Sequence, residues 1–313
     1  MRDIRSAVIT GASSMIGIHL VHTLLKKGLT VTAVIRPRSE RRRFLPAEGP
    51  QPEGGRFFLK ELDAGEICRL ESVPCDAFFH LVWGGSRGAL RNDEEGQRAN
   101  VRYTLEAVRK AKALGAKVFL GAGSQAEYGF FEGKLKADTP LAPNTAYGKA
   151  KMEAEEKSRA LADSLGLDHV WPRILSVYGP YDQSVNMMAQ TIEAFLYDRP
   201  ISFTKGEQIW DYLYAGDCAE ALYVLSVRGV DGRAYPLGKG EAIPLKEYIL
   251  TVRDLAAPER RIVFGERPYN DHQVMYLSAD ISDLVRDTGW KPETDFETGI
   301  RKTIEWIRTQ KNE

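Results

Sequence analysis

The chain has 313 residues, 43% hydrophobic and 27% charged, with Lys+Arg and Asp+Glu equal at 43 each. This is ordinary globular usage, long enough for one large domain or two small ones, and the neutral balance argues against a nucleic-acid partner. No apolar run approaches the roughly 20 residues that span a bilayer, and residues 1–6 lead into a strand-like segment without a signal pattern, so a cytoplasmic protein with no membrane partner is expected. Cys68, Cys75 and Cys218 lack metal-ligand spacing and read as free thiols, so no metal is expected.

The first half alternates strand and helix. Residues 7–10 form a short apolar, partly β-branched run, which predicts a buried strand. Helical periodicity covers residues 16–27 and stops at Gly28. Strands are predicted at 29–35, 56–60, 77–82 and 118–120, with a helix at 100–114 that Gly115 ends. A further helix carries Tyr147 and runs to about Leu165, and a sixth strand opens at 168–171. This order predicts an α/β chain with a doubly wound parallel sheet of Rossmann type over residues 1–175. From about residue 176 Gly, Pro and Tyr become frequent and apolar runs shorten. Residues 176–313 are therefore expected to form a smaller mixed α/β substrate lobe, with 211–227 a candidate to return to the main sheet.

Thr10-Gly-Ala-Ser-Ser-Met-Ile-Gly17 lies between the first strand and the first helix, where a dinucleotide pyrophosphate rests on helix N-terminal amides. Gly11, Ser13, Ser14, Met15, Ile16 and Gly17 are the expected contacts. Ser14 falls where the middle glycine of the usual fingerprint stands; it keeps a backbone amide and adds a hydroxyl within reach of a phosphate. No acid closes the second strand. Arg36 and Arg38 follow it, with guanidinium donors suited to a 2′-phosphate, so NADP(H) is the expected cofactor and NAD(H) is left open. Asp63, after the third strand, is the candidate for the adenine amino group.

Tyr147 and Lys151 are four residues apart in a good helix-forming run, which places them on one helix face. An ammonium beside a phenol favours the phenolate, so the Tyr147 pKa is expected to fall towards neutrality and the phenol to exchange a proton at a carbinol or carbonyl centre. Tyr235 and Lys239 share the spacing, but Pro236 and Gly238 between them argue against a helix.

Taken together, these motifs resemble the extended short-chain dehydrogenase/reductase family, in its branch of nucleotide-sugar epimerases, dehydratases and 4-ketoreductases. The resemblance rests on Thr10-Gly…Gly17, Phe79-His-Leu81, Asn100-Val, Ser124-Gln-Ala-Glu-Tyr-Gly129 and Tyr147-Gly-Lys-Ala-Lys151. It extends through Arg173-Ile-Leu-Ser-Val-Tyr-Gly-Pro180, Asp211-Tyr-Leu-Tyr-Ala-Gly-Asp217, Ser278-Ala-Asp280 and Gly289-Trp-Lys-Pro292. It implies a catalytic triad of Ser124, Tyr147 and Lys151, with Leu81 beside the cofactor, and Lys151 holding the nicotinamide ribose.

Family 4,6-dehydratases carry Thr-Asp-Glu where this chain has Ser124-Gln125-Ala126, so the acid and base for eliminating water are missing. The expectation is an NADPH-dependent reductase of a 4-keto (deoxy)sugar nucleotide; the alternative is an epimerase with tightly bound NAD(P)+. Asn270-Asp-His-Gln-Val-Met-Tyr276 resembles the 4-ketoreductase subgroup. A non-catalytic dinucleotide sensor and a reductase of small carbonyl compounds are the remaining alternatives. Arg267 matches a family phosphate arginine, whereas Trp210 stands where many relatives carry a second. Expected substrate contacts are Trp83, Arg87, Gln125, Arg173, Trp210 and Arg267, with His80 and Asn92 also placed towards the cleft. A homodimer is left open.

Overall fold

A computed structural model describes residues 1–182, 186–270 and 273–310; Asp271 and His272 of the Asn270–Tyr276 motif lie outside them. The chain opens with β1 (Ser6–Thr10), α1 (Met15–Lys26), β2 (Thr30–Ile35), β3 (Gly49–Pro50), β4 (Arg56–Glu61) and β5 (Ala77–His80). Next come α2 (Glu94–Ala113), β6 (Val118–Gly121), β7 (Gly123–Ser124), β8 (Lys134–Leu135) and α3 (Ala146–Ser164). They lead to β9 (Asp168–Ile174), β10 (Ser176–Tyr178), α4 (Met187–Leu196), β11 (Ile209–Trp210) and β12 (Tyr212–Tyr214). The chain continues through α5 (Ala215–Arg228), β13 (Arg233–Leu237), β14 (Ile243–Pro244), α6 (Leu245–Ala256), β15 (Tyr276–Ala279), α7 (Ser282–Thr288) and α8 (Phe296–Gln310).

The main sheet has the order β13-β9-β6-β5-β1-β2-β4-β3, with β7 also paired to β9. All its pairs are parallel except β3 with β4. Both faces are covered, which is why its strands read as unbroken apolar runs. Ala7, Ile9 and Phe79 pack with Leu20, Leu24 and Leu222 of α1 and α5. Val8, Phe78 and Phe119 pack on the other face with Ala107, Val108 and Ala162 of α2 and α3. The strand order reverses between β1 and β5, and a doubly wound sheet opens its ligand crevice at such a point.

Helix α2 starts at Glu94 rather than at Asn100, because Asp93 caps it by accepting the Gly96 N–H at 3.3 Å. Tyr235 and Lys239 do not share a helix: Tyr235 lies in β13, paired with Pro172 of β9.

The remaining strands form a mixed sheet, β14-β11-β15-β8, and the parallel pair β10-β12. Tyr178, Phe195, Tyr212, Tyr248 and Ile304 form a separate, mainly aromatic core beneath α4, α6 and α8. Asp211, wholly buried, stitches this part to the main sheet. Its carboxylate accepts the N–H groups of Lys239 at 2.6 Å, Gly240 at 3.0 Å and Ala279 at 3.0 Å. Among the described residues no helix is long and apolar enough to cross a membrane.

Candidate active site

The β1–α1 turn is built for close approach. Gly11 has φ +72°, and a Cβ there would lie 2.7 Å from the Val82 nitrogen. A Cβ on Gly17 would lie 2.4 Å from the Gly11 carbonyl oxygen, so only glycine lets α1 seat on the turn. Ser14 is committed within this turn: its Oγ accepts the Gly17 N–H at 3.0 Å and its own N–H donates to Gly11 O at 3.0 Å. The Ser14 amide is therefore not the free donor the sequence suggests. The donors a helix start leaves open are the N–H groups of Met15 and Ile16, and Ser14, Met15 and Ile16 line the main cavity. This glycine cradle fits a dinucleotide pyrophosphate.

On the β2 side a smaller cavity of about 110 Å³ is lined by Gly11, Ser13, Arg36 and Asp63. Arg38 is exposed, at φ +58°, and is not part of that lining. Two residues expected to touch substrate, His80 and Asn92, do not line the main cavity, and His80 lines this smaller one. His80 is buried at the end of β5 with Nδ1 3.0 Å from Thr10 Oγ1, and burial pushes its pKa down to about 3. Asn92 accepts the Ala146 N–H at 3.2 Å and so caps α3.

The main cavity, about 560 Å³, lies between the main sheet and the smaller part, with Leu81, Trp83, Arg87, Ser124, Gln125, Tyr147 and Lys151 in its lining. Thr145 caps α3 through the Gly148 N–H at 3.1 Å, which puts Tyr147 in the first turn and Lys151 one turn further on. A Cβ on Gly148 would lie 2.3 Å from Ala126 O, so glycine lets this helix press against the turn that carries Ser124. That turn has its own capping box: Ser124 Oγ accepts from Ala126 N at 3.2 Å, and the Glu127 carboxylate accepts the Ser124 N–H at 2.7 Å. Trp83 meets the Tyr147 ring edge-on at 6.1 Å, and its Nε1 donates to Gln97 at 2.9 Å.

The ionisation of the site differs from the sequence expectation. Burial raises the Tyr147 pKa, opposed by the nearby Ser124 hydroxyl and by the charges of Arg91 and Arg87. Lys151 makes no hydrogen bond to the phenol: its Nζ donates to Ala122 O at 2.5 Å, 3.6 Å above the Trp83 ring and 5.9 Å from the centre of the phenol ring. Burial lowers the Lys151 pKa well below the ordinary lysine value, opposed by the charge of Glu127. At neutral pH the phenol thus keeps its proton.

Arg173 does not reach this cavity. It is 4% exposed, with Nε 2.8 Å from Glu127 and Nη2 2.7 Å from Glu155, so two carboxylates already occupy the guanidinium. Trp210 lines the main cavity and also a second one of about 270 Å³ that holds Arg267, and its Nε1 donates to Ser176 Oγ at 2.8 Å. Arg91 and Tyr212 also line the main cavity and escaped the sequence reading. Arg91 lies 4.7 Å from the Tyr147 ring; the only hint was its place on the same post-β5 segment as Arg87.

A model of the NAD dependent epimerase/dehydratase family matches residues 7–238. A dTDP-glucose 4,6-dehydratase of Shigella flexneri is 31% identical over 185 residues, 56% of this chain and 50% of that enzyme, so this chain spans about half of its length. A CDP-abequose synthase of Salmonella muenchen is 24% identical over 315 residues, 97% of this chain and 99% of that protein. Among solved structures, the UDP-glucose 4-epimerase of Thermotoga maritima, with UDP-glucose, has the same fold. Its TM-score is 0.85 at 22% identity, over 97% of this chain and 99% of that one.

Proposed function

The chain belongs to the NAD dependent epimerase/dehydratase family, and on that premise we propose that it is an NADPH-dependent reductase of a 4-keto (deoxy)sugar nucleotide, with Tyr147 as proton donor. One observation carries this reading. Among the described residues lining the main cavity, Tyr147 and Lys151 stand beside Ser124 with Arg87 and Arg91, and no carboxylate or imidazole accompanies them. Elimination of water needs an acid and a base that this lining lacks; Gln125 and Ala126 occupy those places. The cationic lining suits an anionic substrate such as a sugar diphosphonucleoside.

A bound nicotinamide supplies the hydride. The Ser124 hydroxyl donates a hydrogen bond to the keto oxygen, and the Tyr147 phenol passes its proton to that oxygen as negative charge develops on it. Lys151 would hold the cofactor ribose. The protonated phenol suits this direction, because reduction consumes a proton whereas an initial oxidation needs the phenolate. An epimerase with retained NAD(P)+ uses the same three residues and is the second reading, since one proton-transfer group facing the cavity can serve both half-reactions.

The test is cofactor oxidation with 4-keto-6-deoxyhexoses linked to dTDP, CDP, UDP and GDP. Loss of NADPH absorbance matched by alcohol product is expected with one of them. Purified protein that carries oxidised cofactor and interconverts two sugar nucleotides without added NADPH would establish the epimerase.

Two binding predictions follow from the same reading. Arg36 lines the pocket on the β2 side and the exposed Arg38 follows two residues on in the chain, so NADPH should bind more tightly than NADH. Replacing both with uncharged residues should remove most of that preference, and equal dissociation constants in the wild type would exclude the 2′-phosphate reading. In the second cavity, Arg267→Ala should cost about 2–4 kcal/mol of sugar-nucleotide binding and leave NADPH affinity unchanged. Trp210→Arg should tighten binding of a bare nucleoside diphosphate. If neither substitution alters nucleotide-sugar affinity by calorimetry, the diphosphate site lies elsewhere.

A further inference from the structure

A buried network behind Ser124 takes no part in the steps above. Glu127 is 0% exposed. One of its oxygens accepts the Ser124 N–H at 2.7 Å, the other accepts the Arg173 Nε–H at 2.8 Å, and both lie 3.3 Å from Trp171 Nε1. Arg173 Nη2 then donates to Glu155 at 2.7 Å. Glu155 lies one turn beyond Lys151 on α3. We infer that Glu127 is a positioning residue of the active site: through Arg173 and Glu155 it ties the Ser124 turn to the helix bearing Tyr147 and Lys151.

The packing is shaped around this carboxylate. A Cβ on Gly123 would lie 2.4 Å from Trp171 Nε1 and 2.9 Å from Glu127 Oε1, so glycine makes room for the indole and the carboxylate together under the Ser124 turn. Every hydrogen-bond partner of Glu127 among the described residues is a donor, so the carboxylate is the form that satisfies them. A protonated acid would point its own hydrogen at another donor. The other charged and titratable groups near Lys151 are Tyr147 and Glu155 on α3, His80 on β5 and Arg173 on β9, with Arg87 and Arg91 beyond the phenol. Burial holds His80 neutral, and its titration lies far below the range that matters here. Glu127 is the acid whose charge favours the Lys151 ammonium.

A pair serving only the fold would not set the ionisation of Lys151. The discriminating measurement is the NADPH dissociation constant against pH, read by cofactor fluorescence; it rests on the reading of Lys151 as the ribose-holding residue. In the wild type, affinity should fall as Lys151 loses its proton. In Glu127→Gln the midpoint of that fall should move down by about one pH unit, because the neutral amide no longer stabilises the cation. An unmoved midpoint overturns the inference. Glu127→Asp retains the charge and should retain the wild-type midpoint. A midpoint displaced by a full unit there overturns it too, even if Glu127→Gln does not fold. Lys151→Ala should abolish the fall. If the fall persists in that variant, the ribose-holding role itself fails, and the inference with it.

Discussion

Tyr147→Phe is expected to lower turnover by about 10² or more while NADPH still binds. The phenol lies in the first turn of α3, where burial keeps it protonated. Removing the hydroxyl leaves Lys151, which is turned to Ala122 O and the Trp83 ring, and Tyr212 as other proton carriers in the lining. Tyr212 is a poor substitute, because its ring is committed to the aromatic core, edge-on against Tyr178 and Tyr248. The alkoxide formed by hydride delivery then has to take its proton from water, and the barrier rises accordingly. Single-turnover oxidation of NADPH reads this step directly. Turnover within tenfold of the wild type would remove Tyr147 from the chemistry, whatever the substrate proves to be.

The parts of this site legible in the sequence are those set by local geometry. A four-residue spacing in a helix brings Tyr147 and Lys151 together, and two glycines flanking a strand-to-helix turn mark the cradle at Gly11 and Gly17. Long alternation of strands and helices predicts the doubly wound sheet for the same reason. Arg173 shows where that reasoning ends. Nothing in Arg173-Ile-Leu-Ser176 says where along the strand the cleft begins. Ile174, Leu175, Ser176 and Val177 line the cavity, whereas Arg173 is turned to Glu127 and Glu155. The small mixed sheet is illegible on other grounds: strands such as Ile209–Trp210 have two residues and leave no period. The phenol pKa depends on burial and on where Nζ points, and both are tertiary facts. Spacing alone predicts the opposite direction of shift.

Arg173→Met is expected to destabilise the fold by about 3–5 kcal/mol, the usual cost of breaking a buried ion pair by removing one partner. A shape-matched apolar side chain leaves two carboxylates, Glu127 and Glu155, facing each other without their shared guanidinium. For a chain of this size such a loss lowers the melting midpoint by on the order of 5–10 °C. The pH dependence has a definite sign. Burial holds Glu127 above the ordinary carboxylate range, with Arg173 opposing, so removing Arg173 raises it further. A folded pKa above the unfolded value means that the folded variant binds the extra proton. Its stability is then preserved below the ordinary glutamate value of about 4.3 and lost as pH rises through the folded pKa. The deficit relative to wild type should accordingly be small in mild acid and grow as pH rises through about 7, where wild-type Glu127 ionises before the variant's does, in urea titrations at a series of pH values. Arg173→Lys should recover only part of it, since one ammonium cannot match the guanidinium fork that spans Glu127 and Glu155. A deficit under about 1 kcal/mol at neutral pH, or one that shrinks as pH rises, would show that the two carboxylates are not held by Arg173 in the way their distances indicate.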